Sequence, residues 1–90
     1  MPDLAPLPEK PQLSRLFRLQ YEKAQNAYVL LYPEGMVKLN DSAAEILRRC
    51  DGERTLAQIV ADLENSFATT GLHNDVEAFM QTAQERGWIK

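Results

Sequence analysis

Ala27-Tyr28-Val29-Leu30-Leu31-Tyr32-Pro33-Glu34-Gly35-Met36-Val37-Lys38-Leu39-Asn40 is the stretch in which one structural grammar gives way to another. Ala27–Tyr32 is the longest apolar run of the chain, rich in aromatic and β-branched residues, and reads as a strand. Pro33-Glu34-Gly35 has the turn chemistry to reverse it, and Met36–Leu39 then forms a short third strand. Upstream, Phe17, Leu19 and Tyr21 alternate with Arg18, Gln20 and Glu22, the period-2 signature of a half-buried first strand, and Lys23–Asn26 is a polar turn. Three strands joined by tight connections predict an antiparallel meander with Ala27–Tyr32 central and Met36–Leu39 on an edge.

From Asn40 the pattern is helical. Ser42-Ala43-Ala44-Glu45 fits a capping box, predicting a helix to about Cys50, with Asp51-Gly52 ending it. A second box, Thr55-Leu56-Ala57-Gln58, opens a helix whose Leu56, Ile59, Val60, Leu63 and Phe67 trace one apolar stripe. After Thr69-Thr70-Gly71, the residues Leu72, Val76, Phe79, Met80 and Ala83 recur at helical spacing until Gly87, and Trp88 and Ile89 are expected to fold back onto the body. Strands first and helices afterwards give an α+β domain, a three-stranded antiparallel sheet followed by three helices, winged-helix-like in layout. Four prolines among the first eleven residues (Pro2, Pro6, Pro8, Pro11) make residues 1–13 an extended tail, either disordered or packed as an arm, and residues 14–90 the domain.

Ninety residues support one modest core. A net charge of −3 lacks the basic excess that dominates nucleic-acid affinity. Helix three, the recognition helix of any winged-helix reading, carries Asp75, Glu77 and Glu85 against Arg86 alone. One Cys and one His exclude both an internal disulfide and a four-ligand zinc site, and no cofactor is implied. No apolar run approaches membrane-span length and no signal peptide is legible, so a cytoplasmic protein without membrane contact is expected.

His73 lies where helix three begins and reads as a surface or capping residue; it has no partner for metal or base chemistry. Cys50 reads as a small buried hydrophobe, with Arg48 and Arg49 the only features favouring a reactive thiol. Asp62 and Glu64 read as a solvated face of helix two, and the four glycines mark element boundaries, forming no phosphate loop. The positive signal is the third strand: an edge guarded only by Lys38 can accept a further strand, or be shielded by the tail or a second copy.

The succession Leu30–Asn40, Ala44-Glu45-Ile46-Leu47, Cys50-Asp51-Gly52 and Asp75-Val76 resembles the PqqD family of pyrroloquinoline quinone (PQQ) biosynthesis over about residues 12–90. The resemblance implies a non-catalytic peptide chaperone that binds the precursor peptide PqqA and presents it to the radical S-adenosylmethionine enzyme PqqE, whose own iron–sulfur clusters carry the chemistry. It further implies that the peptide adds as a strand between strand three and helix three. Carried onto this sequence, the edge is Met36, Val37, Lys38 and Leu39. Helical spacing selects Asp75, Phe79, Thr82 and Arg86 for the opposing wall; of these, Asp75 matches a family motif. Leu39 and Phe79 fit the core equally well, and Thr82 fits a solvated position. A winged-helix DNA-binding regulator, a carrier of the quinone itself and a homodimer made by strand exchange are the alternatives that the residues leave open.

Overall fold

The computed structural model describes residues 6–90; the part of the expected tail at residues 1–5 lies outside them. Strands β1 (Arg18–Glu22), β2 (Ala27–Tyr32) and β3 (Gly35–Lys38) precede helices α1 (Asp41–Arg48), α2 (Leu56–Ser66) and α3 (His73–Glu85). The sheet is the expected antiparallel meander, ordered β1-β2-β3. Arg18 lies opposite Leu31 and Glu22 opposite Ala27, while Val29 faces Lys38 and Tyr32 faces Gly35 across the second hairpin.

Leu30 of β2 joins Ile46, Leu47, Ile59, Leu63, Val76 and Met80 in one buried cluster, so the helices cover the face of the sheet that carries Leu30. Leu19, Tyr28 and Val37 share that face by alternation and pack at its margin. Aromatic pairs tie the hairpin together: Phe17 and Tyr32 stand 5.4 Å apart, and Tyr21 and Tyr28 meet edge-on at 5.3 Å.

The helix boundaries correct the sequence reading in three places. Asn40, not Ser42, caps α1, its Oδ1 accepting from the Ala43 amide at 2.8 Å. Glu45 is instead taken up by Arg48 and Arg49, and α1 ends at Arg48, short of Cys50. The Thr55–Gln58 box of α2 forms reciprocally as expected, but Phe67 follows the helix 54% exposed rather than closing its apolar stripe. Strand three also ends one residue early: Leu39, 5% exposed, has turned into the core.

Asp62 and Glu64 stay in contact with solvent on α2, as expected, and each also carries a structural contact. Arg49 donates through Nε to Asp62 and through Nη1 to Glu45, locking α1 to α2. The Glu64 carboxylate accepts from the Leu72 amide at 3.0 Å, which supplies the N-terminal capping that α3 lacks from its own side chains. Hydrogen bonding from Arg49 holds the carboxyls of Glu45 and Asp62 below the usual carboxylate range, and the Glu53 backbone amide does the same for Asp51. A carboxylate depressed in the folded state stabilises above its unfolded value, and that stability is lost as pH falls through the folded value. Urea unfolding midpoints are therefore expected to fall between pH 6 and pH 3, less steeply in Arg49→Gln; an equal slope in both proteins would show that the network does not contribute.

The segment leading into β1 is joined to the residues that follow α3. Pro11 is fully buried, Gln12 and Lys90 exchange backbone hydrogen bonds, and Leu13 pairs with Ile89. Gly52, at φ +79, lies against Gln12, where a Cβ would stand 2.6 Å from Oε1. Trp88 and Ile89 fold back onto the body as expected, each nearly buried.

Candidate functional site

Two elements supply the candidate site, the β3 edge and one flank of α3. Leu39 donates its amide to the Tyr28 carbonyl at 3.0 Å. Antiparallel pairing alternates the direction of backbone groups along a strand, so this bond fixes the phase of the sheet. Val37 turns its N–H and C=O toward Leu30, whereas Met36 and Lys38 turn theirs toward the outer edge, which no other strand among the described residues occupies. The side chains sort oppositely: Val37 points at the core, while Met36, 48% exposed, and Lys38 lie on the other face. Of the four predicted edge residues, then, Met36 and Lys38 offer backbone pairing. Val37 supports the strand from inside, and Leu39 belongs to the core.

Along α3, Asp75, Phe79, Thr82 and Arg86 share one flank beside the buried stripe of Val76, Met80 and Ala83. Phe79 is half-buried against Trp88, with ring centroids 6.3 Å apart, and the Arg86 guanidinium sits 5.6 Å over the same indole. Thr82 is exposed. Asp75 lies on a recess of about 300 Å³ formed between the starts of α1 and α3, together with Asp41, Ser42, Ile46, Leu63 and Phe67. Asp41 opens the helix that follows β3, and of the four flank residues Asp75 alone lines this recess. The sequence reading missed Ile46, Phe67 and Trp88 as wall components. A Phe just past the end of a helical stripe and beside a polar Thr-Thr-Gly connection is the signal that could have found the recess.

The remaining reactive groups are committed elsewhere. Burial, then the neighbouring Asp51 charge, pushes the Cys50 thiol up to about 12, and its Sγ donates to the Ile46 carbonyl. Native protein is expected to react with maleimide at least about a hundredfold more slowly than protein in denaturant, since the thiolate is the reacting species; equal rates would place Cys50 outside the core. His73 is exposed, with Nε2 3.9 Å from Glu77. Arg48, Arg49 and Arg54 gather around Asp62, Glu45 and Asp51 as a mutually paired ionic network. Among the described residues no three His, Cys, Asp or Glu converge as metal ligands, and no helix is long and apolar enough to cross a membrane.

A three-stranded meander with an open, amide-presenting edge, followed by three helices of which the last carries an apolar and aromatic flank, defines a small winged-helix-like recognition domain. Residues 27–89 match the family model for coenzyme PQQ synthesis protein D, and the chain belongs to the PqqD family. A curated PqqA binding protein of Azotobacter vinelandii is 58% identical, the match covering 89% of this chain and 88% of that one. One from Pseudomonas aeruginosa is 51% identical over 97% of this chain and 96% of its own. Among solved structures, the PqqD portion of Methylobacterium extorquens PqqCD is similar with a TM-score of 0.67 and 30% identity, covering 89% of this chain and 87% of its own. It is described as a functional, stand-alone recognition element for ribosomally synthesised and post-translationally modified peptides.

Proposed function

We propose that this chain is a non-catalytic, cytoplasmic peptide chaperone of PQQ biosynthesis that takes the precursor peptide PqqA as a fourth strand on β3 and presents it to the radical S-adenosylmethionine enzyme PqqE. The observation that carries the reading is the outward-facing backbone of Met36 and Lys38, which no strand among the described residues pairs, in a member of the PqqD family. A strand added there gains main-chain hydrogen bonds for affinity, and its alternate side chains meet the Asp75, Phe79, Thr82 and Arg86 flank for specificity. The names of the relatives support PqqA as the ligand. Tethering the peptide to an adaptor raises its effective concentration at the modifying enzyme without requiring chemistry from the adaptor itself. This assigns the peptide to one edge of the sheet and leaves pairing between two copies, the other association open to the chain, to a different surface.

Titration of fluorescently labelled PqqA peptide into the purified protein is expected to give saturable binding, and pull-down of PqqE to strengthen when the peptide is present. Absence of saturable binding, with and without PqqE, would overturn the reading. Binding to duplex DNA that collapses with rising salt would favour the regulator instead, although no Lys or Arg lies within α3 to oppose Asp75, Glu77 and Glu85.

A further inference from the structure

The recess between the starts of α1 and α3 has no occupant in strand addition alone. Ile46 and Val76 line it from the core, and Phe67, 54% exposed, lines it from the end of α2. Three carboxylates, those of Asp41, Glu45 and Asp75, line it as well, and no Lys or Arg does. Glu45 is already taken up by Arg48 and Arg49, whereas Asp41 and Asp75 are exposed and make no ion pair among the described residues. A volume of about 300 Å³ is roughly ten times the share of one water molecule in the liquid and lies at the small end of ligand pockets, room for one large side chain.

Position ties the recess to the peptide. Asp75 belongs both to the recess and to the α3 flank, and Asp41 follows Lys38 by three residues, a reach of at most about 11 Å. An added strand rises about 3.4 Å per residue, so two or three residues past Lys38 cover most of that distance. We infer that the recess anchors the precursor peptide beyond the added strand: an apolar side chain enters it, and a lysine or arginine next to that side chain pairs with Asp41 and Asp75. An antiparallel strand passes Lys38 with its N-terminal end, so the anchoring residues precede the paired segment in the peptide sequence. The inference rests on strand addition to β3. It adds the kind of residue pair that the peptide carries and the side of the strand on which that pair lies. Each aspartate also stands in the first turn of its helix, where a carboxylate favours the fold, so binding is read apart from stability.

Isothermal titration with PqqA tests it on the wild type, Asp41→Asn/Asp75→Asn and Phe67→Ser, each shown to be folded by circular dichroism. The double variant is expected to bind about three- to tenfold more weakly than wild type at about 0.05 M salt, with the gap closing towards about 0.5 M as the ions are screened. Phe67→Ser is expected to lose at least about threefold at both salt concentrations, because the contact it removes is apolar. PqqA shortened stepwise from its N-terminus is expected to bind all three proteins alike once the anchoring residues are gone, while shortening from the C-terminus leaves the differences in place. Variants that bind full-length PqqA like wild type, or differences that survive N-terminal shortening, would refute the anchor. Lys38→Pro separates that failure from the failure of strand addition itself. Binding lost in Lys38→Pro but intact in both recess variants refutes the anchor alone, whereas a wild-type protein that does not bind PqqA refutes both.

Discussion

Lys38→Pro is expected to abolish most PqqA binding while leaving a folded protein, lowering affinity at least about tenfold, which corresponds to about 1.4 kcal/mol. The expectation follows from the phase of the sheet. Lys38 turns its amide away from β2, so proline there removes a donor that the fold does not use and that an added strand would. Val37, one residue earlier, turns its amide toward Leu30, so proline at that position breaks the hairpin and confounds binding with stability. Lys38→Ala is the matched control: it removes the exposed charge and keeps the donor, and an effect below about threefold is expected from a solvated cation. Isothermal titration of the variants with PqqA peptide, with circular dichroism to confirm folding, separates the possibilities. A folded Lys38→Pro protein that binds like wild type would rule out main-chain pairing on this edge. Equal losses in both variants would assign the contact to the side chain.

How far the sequence could be read depended on how local the determining interactions were. Periodicity placed β2 with its ends as they stand and predicted the central position of that strand, because alternation and turn residues act within a few positions. The Thr55–Gln58 box was legible for the same reason, since both partners lie within one turn of helix. The Ser42–Glu45 box failed because Glu45 had stronger partners: two guanidiniums compete with one backbone amide for its carboxylate, and Asn40 stood ready as the cap. The contacts of Asp62 and Glu64 could not be read because their partners, Arg49 and the Leu72 amide, are distant in sequence, where no spacing rule reaches.

The candidate site divides along the same line. That β3 is an edge could be read from strand order, but which of its amides face outward could not, because that depends on the Leu39–Tyr28 hydrogen bond across the hairpin. On α3 the shared flank of Asp75, Phe79, Thr82 and Arg86 follows from helical spacing alone. The partners of that flank are tertiary: Trp88 returns from the chain terminus to meet Phe79 and Arg86, and Ile46 and Phe67 arrive from two other segments to enclose the recess beside Asp75.

Trp88 connects the wall of the site to the stability of the whole domain, and Trp88→Ala is expected to have the largest effect on folding of any single substitution considered. The indole is 8% exposed and sits among Phe79, the Arg86 guanidinium and the core. Its backbone carbonyl accepts from Ser14 at 2.8 Å and its amide donates to the Ala83 carbonyl, so the residue joins the end of α3 to the segment leading into β1. Truncating a buried Trp to Ala costs about 3–5 kcal/mol through lost transfer energy and the cavity left behind. A domain of this size has a total stability of about 5–15 kcal/mol, so the variant is expected to approach the folding threshold. Arg86→Ala removes only the exposed cation above the ring and is expected to cost about 0.5–1 kcal/mol. Urea unfolding followed by far-ultraviolet circular dichroism is the suitable measurement, since the chain has a single tryptophan and its fluorescence disappears with the substitution. A Trp88→Ala cost below about 1 kcal/mol would mean that the C-terminal return is peripheral and that the α3 wall stands without it. A cost in the expected range, together with a small effect of Arg86→Ala, would identify the indole as the piece that fixes Phe79 at the rim of the site.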